Sequence, residues 1–125
     1  MKILSIIIAI LLILHGLIHL MGVVTYLKLG TVQGLTYKTA LLNGRWDWGE
    51  NGIRLYGALW GLAALGFVVA AIAMLTGAAW WRPLLGGVTF LSLALTALDW
   101  KDAFAGAILN LVILAWLGVA AYIAK

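Results

Sequence analysis

The sequence predicts an all-α membrane protein, a four-transmembrane-helix up-down-up-down bundle with a long interfacial loop between helices 1 and 2. Three observations carry that expectation. Of 125 residues, 66% are hydrophobic and 10% charged, and the mean hydropathy is +1.13, far from the balance of a water-soluble domain. A helix crossing the hydrocarbon core needs roughly 20 mainly apolar residues, and four such stretches fit with little chain left over. Two of the three connections are so short that the helices they join must be antiparallel neighbours.

The first helix is expected over about residues 3–27. Met1-Lys2 followed by an apolar run begins like a signal peptide, but the run carries on to about Leu27 and no small-residue cleavage site ends it, so it reads as a retained span. The connection over residues 28–52 carries Lys28, Lys38, Arg45, Asp47 and Glu50 beside the apolar run Ala40-Leu41-Leu42, Trp46 and Trp48. This mixture places it on the bilayer surface, as a short interfacial helix near residues 31–43 ended by the Asn43-Gly44 turn. The second helix covers about 53–75. After it come a helix-ending glycine, Gly77, the paired interfacial anchors Trp80 and Trp81, and Pro83 at a plausible first helical position. The third helix covers about 84–98 and the fourth about 103–123, with only Asp99-Trp100-Lys101-Asp102 between them. Residues 1–125 form one domain without internal repeats, and the tryptophans cluster near helix ends as an aromatic belt.

The net charge of +4 does not point to nucleic acid, because the eight basic residues are scattered singly as membrane-flanking anchors. The partner that composition demands is the lipid bilayer; a homo-oligomer or a membrane partner protein stays open. An even span count puts Lys2, Arg82 and Lys125 on one side and Lys28, Lys38, Arg45, Arg54 and Lys101 on the other. That excess leans towards a cytoplasmic 28–52 loop. Without cysteine, the chain has no disulfides, thiolate metal sites, thiol catalysis or CxxCH haem attachment.

The two histidines, His15 and His19, sit four residues apart in the first helix, on one face and about 6 Å apart along the axis. They share a stripe with Leu12, Gly22 and Tyr26. Imidazoles are costly in hydrocarbon, so this face should point into the bundle. The third helix carries a stripe of Thr89, Ser92, Thr96 and Asp99; the fourth carries Asp102, Gly106 and Asn110. At about 1.5 Å per residue, His19 and Asn110 lie roughly 12 Å, and Ser92 roughly 10 Å, below their helix ends on the same side. His15, His19, Ser92, Asn110 and Thr89 therefore define a candidate pocket, rimmed by Arg54, Asp99 and Asp102. Packing alone is the competing explanation: Ser and Thr often bond to their own helix, and a histidine can bond across helices simply to hold a bundle together. The two aspartates are most simply solvated at the helix junction, with Asp102 a candidate cap for the fourth helix. Gly57 and Gly61 form a GxxxG pair whose simplest role is close helix packing.

His15 and His19 also have the spacing of two ligands to one metal ion, but a closed zinc site needs four ligands and a catalytic one three. Bis-histidine haem ligation within one protomer fails because both rings lie on one helix. The sequence requires no cofactor. No helix has an acidic residue at its middle, which separates the chain from small multidrug transporters of similar length.

The segment from Leu14 to Gly22, which reads LHGLIHLMG, and the later Trp100-Lys101-Asp102-Ala103-Phe104-Ala105-Gly106 with Asn110 resemble a group of small bacterial four-span membrane proteins without an established function. That group has an HGLIHLxG pattern in its first helix and WKDAxxGxxxN opening its last. The matching positions here are His15, Gly16, His19, Gly22, Trp100, Asp102, Gly106 and Asn110. The resemblance implies a bacterial inner-membrane setting and no activity. Three readings follow from the sequence: a binding or transport module built on the histidine pocket, an accessory or assembly subunit of a membrane complex, or a membrane enzyme using a histidine base. The last has no nucleophile–base–orienter set to support it.

Overall fold

The computed structural model describes residues 2–123; Lys125, counted above among the charges of one side, lies outside them. The structure is 77% helical. Helices α1 (Lys2–Ile18) and α2 (Leu20–Tyr26) run on as one span, followed by α3 (Gly49–Thr76), α4 (Trp81–Leu98) and α5 (Trp100–Ile123). All four stretches are long and apolar enough to cross a membrane. Only 17–39% of each stretch is buried inside the protein, and Leu11, Leu62, Phe90 and Val112 lie more than half exposed. Lipid is the solvent such faces require.

α3 is the centre of the bundle. Its Ile53, Tyr56, Ala63, Phe67 and Ala70 are fully buried, and it packs against the first span on one side and α4 on the other. Small residues let the backbones approach. A Cβ on Gly57 would stand 3.0 Å from Tyr26 Cβ, and one on Gly61 would stand 3.3 Å from Val23, so both glycines serve contact with the first span. The fit is reciprocal, since Gly16 lies under Phe67 and Gly22 under the Trp60 ring. α4 packs on α5, but nothing of comparable extent joins α5 back to the first span. The helices thus make an open row with a seam between its first and last members.

The helix ends follow local chemistry. Gly77 closes α3 with φ 78°, in the left-handed region glycine adopts without strain. Pro83 sits in the first turn of α4, where its missing N–H removes a donor that has no helical partner. α5 begins at Trp100 and kinks at Ala103, φ −125°.

The connection between the first span and α3 departs from the sequence expectation. In place of a helix over residues 31–43 it forms a small hairpin, β1 (Ala40–Leu41) paired antiparallel with β2 (Trp46–Asp47), and an isolated bridge joins Val32 to Leu35. Leu42, Asn43 and Gly44 all have positive φ, so the Asn43-Gly44 turn reverses the chain between strands. Tertiary bonding favours this form. Leu41 is completely buried, and the Leu42 N–H donates to Leu98 O at the end of α4.

Candidate functional site

The first span is irregular at His19, which lies between α1 and α2. The His19 N–H bonds to Gly16 O at 3.0 Å, three residues back. The carbonyl of His15, four residues back, accepts instead from His19 Nδ1 at 2.7 Å. The side chain thus substitutes for its own backbone donor and marks the local break.

That bond fixes the remaining proton positions. With Nδ1 donating, His19 Nε2 accepts from the Ser92 hydroxyl at 2.5 Å. Ser92 Oγ in turn accepts from Asn110 Nδ2 at 2.8 Å. The second amide hydrogen goes to Thr96 Oγ1 at 3.3 Å, whose own hydrogen goes to Ser92 O at 2.8 Å. Asn110 Oδ1 is left to accept from His15 Nε2 at 2.9 Å. One network therefore ties the first span, α4 and α5 together, and Asn110 is its hub. His15, His19, Ser92, Thr96 and Asn110 are all buried. Thr89 is buried too, but its hydroxyl returns to Leu85 O at 2.6 Å and stays outside the network.

Phe67 and Trp60 of α3 wall the histidines from behind, with ring centroids 4.8–5.3 Å from them. In front lies a pocket of about 280 Å³ in the seam between the first span and α5. His15, His19, Thr96 and Asp102 supply its polar wall; Ile18, Met21 and Leu109, which are 37–56% exposed, form its apolar edge. Both irregular points, His19 and Ala103, line this pocket.

A second polar cluster lies at the α4–α5 junction. Asp99, expected to be solvated, is in fact buried, with no side-chain exposure. Lys38, from the connection preceding the hairpin, reaches Asp99 Oδ1 at 2.6 Å and Asp102 Oδ2 at 2.9 Å, and the Tyr26 hydroxyl donates to the other Asp99 oxygen. Burial pushes the Asp99 carboxyl above its ordinary value, more strongly than Lys38 and Tyr26 hold it down. Asp102 accepts from Lys38 and from the Thr36 N–H at 3.3 Å, so its carboxylate anchors the connection and makes no cap bond to its own helix. This cluster borders an open cleft of about 930 Å³, which Arg45 and Lys101 also line. Asp102 faces both cavities and is the partition between them. Arg54 lines neither, being exposed beside Glu50 at 3.9 Å.

Both nitrogens of His19 and the whole Asn110 amide are occupied by protein partners, and among the described residues no group of three or more His, Cys, Asp or Glu could hold a metal ion. Sequence reasoning missed Lys38, whose partners lie more than 60 residues away, and missed Tyr26 and Thr96 as site residues. Tyr26 sits seven positions after His19 on the same stripe, a signal that was available. No protein-family model, curated protein or solved structure matches the chain.

Proposed function

We propose that the protein is a small binding module of the bacterial cytoplasmic membrane, an up-down-up-down bundle that takes a lipid-soluble ligand from the bilayer into the seam pocket. The observation that carries this reading is the pocket itself. An apolar, half-exposed edge of Ile18, Met21 and Leu109 leads to a wall bearing His15, Thr96 and Asp102, and the first span and α5 meet without the extensive helix packing that would close the seam between them. A mostly apolar concavity with a few convergent polar groups is the usual form of a small-molecule site, and 280 Å³ lies near the lower end of the range for such sites. The positions that carry the resemblance to small bacterial four-span proteins, among them His15, His19, Asp102, Gly106 and Asn110, gather around this pocket. The short connections between the last three helices support the up-down order, and the charges of residues 28–48 support an interfacial, cytoplasmic placement for that segment.

The test is native mass spectrometry of protein released from its own membranes, beside a Leu109→Trp variant that fills the pocket edge. A bound small molecule present in the parent and lost in the variant is the expected result. Equal spectra that differ only by the substitution would sink the proposal. A second reading, an assembly subunit, draws on the occupied valences of His19 and Asn110, which serve helix association whether or not a ligand binds. Stoichiometric co-purification of another protein would favour it.

A further inference from the structure

The pocket's polar wall has a bias that narrows the ligand. His19 has no valence left. The Asn110 amide is saturated. What remains unused on groups lining the pocket is one donor, the indole N–H of Trp60, and several acceptors: the second oxygen of Asp102, since Oδ2 takes both donors that reach this carboxylate, a lone pair on Thr96 Oγ1, and His15 Nδ1. The last is the most informative. Asn110 Oδ1 can only accept, so His15 Nε2 carries the hydrogen and Nδ1 of the neutral ring carries a lone pair. Nδ1 makes no hydrogen bond to the described residues, although the His15 side chain is only 5% exposed and its ring lines the cavity. The ring faces the cavity, so a ligand that supplies a hydrogen there gives Nδ1 the partner the protein does not.

We propose that the pocket's ligand is an uncharged, lipid-soluble molecule that presents a hydroxyl hydrogen, alcoholic or phenolic, to His15 Nδ1. The inference rests on the pocket being a ligand site, and it adds the chemical class of the polar end. Size agrees, because 280 Å³ admits a single ring or a short polar head while the attached chain leaves through the apolar edge at Ile18, Met21 and Leu109. The hydroxyl oxygen can in turn accept from the Trp60 indole N–H, which lines the same cavity without a partner. An anionic head is disfavoured by the Asp102 carboxylate in the same wall, and a pure acceptor such as an ester or ether would leave His15 Nδ1 without a hydrogen.

The probes are 4-octylphenol and its methyl ether, which differ by one donor hydrogen, titrated into the full chain in lipid nanodiscs. Affinity is read together with the imidazole ¹⁵N resonances, which two histidines make assignable. The phenol should bind about three- to tenfold more tightly than the ether, the worth of one hydrogen bond, and only the phenol should shift His15 Nδ1. Leu109→Trp, or Ala105→Phe should that variant fail to fold, should abolish binding of both. Equal affinities with no Nδ1 shift, still blocked by the variants, would overturn the hydroxyl class and leave the pocket standing. Binding of neither probe, or binding that ignores both variants, would overturn the pocket as well.

Discussion

Lys38→Met removes the ammonium that bridges Asp99 and Asp102 while keeping most of the side-chain volume. At 2.6 and 2.9 Å the two contacts are each worth about 6 kcal/mol gross at an effective dielectric of about 20, before desolvation is counted. Desolvation cancels much of this, and truncating one partner of a fully buried pair costs about 3–5 kcal/mol. Lys38 keeps 28% exposure whereas Asp99 has none, so about 3 kcal/mol is the appropriate expectation. For a chain of this length that corresponds to a fall of roughly 10 °C in thermal midpoint, followed by circular dichroism in detergent. The sign of the pH dependence is fixed as well. Asp99 binds its proton more tightly folded than unfolded, so stability declines as pH rises from the unfolded carboxyl value, about 4, through the raised folded one. Loss of Lys38 raises the folded value further, so the variant's deficit should grow as pH rises from the unfolded carboxyl value through the folded one. Adding Asp99→Asn should recover part of the loss and flatten the pH profile. A deficit below about 1 kcal/mol that is also independent of pH would mean that Lys38 behaves as an ordinary surface charge, and the reasoning would be wrong.

Asn110→Leu severs three polar partners at once and leaves His15 and Ser92 buried without the amide; a loss of about 2–4 kcal/mol is expected by the same unfolding measurement, against less than 1 for Leu111→Ala on the lipid face. Gly16→Ala would set a methyl 2.8 Å from Phe67 Cβ and 3.0 Å from the Ala64 carbonyl, so it should destabilise by about 1–3 kcal/mol, whereas Gly86→Ala meets nothing within 4 Å and should be neutral or slightly stabilising. Ser92→Ala takes the hydrogen from His19 Nε2; its imidazole ¹⁵N spectrum should report a lone pair released at that nitrogen, while Ser92→Thr should preserve the parent spectrum.

Much of the architecture is legible in the sequence because lipid imposes a strict condition. Every backbone group in the hydrocarbon must be bonded internally, so apolar stretches of sufficient length become helices. Gly77 ends its helix because only a residue without Cβ takes the left-handed conformation freely. Periodicity likewise gathers His15, His19, Ser92, Thr96 and Asn110 on three stripes, since the 3.6-residue repeat decides which side chains share a face.

Which stripe meets which, and by which atoms, is decided only by the packed structure. The exchange of donors at the His15 carbonyl and the saturation of Asn110 depend on angles and distances between helices that no spacing encodes. The connection shows the same limit more sharply: its composition reads as an interfacial helix, yet Leu41 buries, Leu42 bonds to the end of α4, and Lys38 turns inward to two carboxylates. Local propensity differs little between these outcomes; breaking a buried charge cluster costs several kcal/mol, and this one is assembled by residues more than 60 positions apart. The sequence determined that this chain belongs in a bilayer with its histidines turned from lipid; tertiary packing decided that they are bonded on one side and open to a seam on the other.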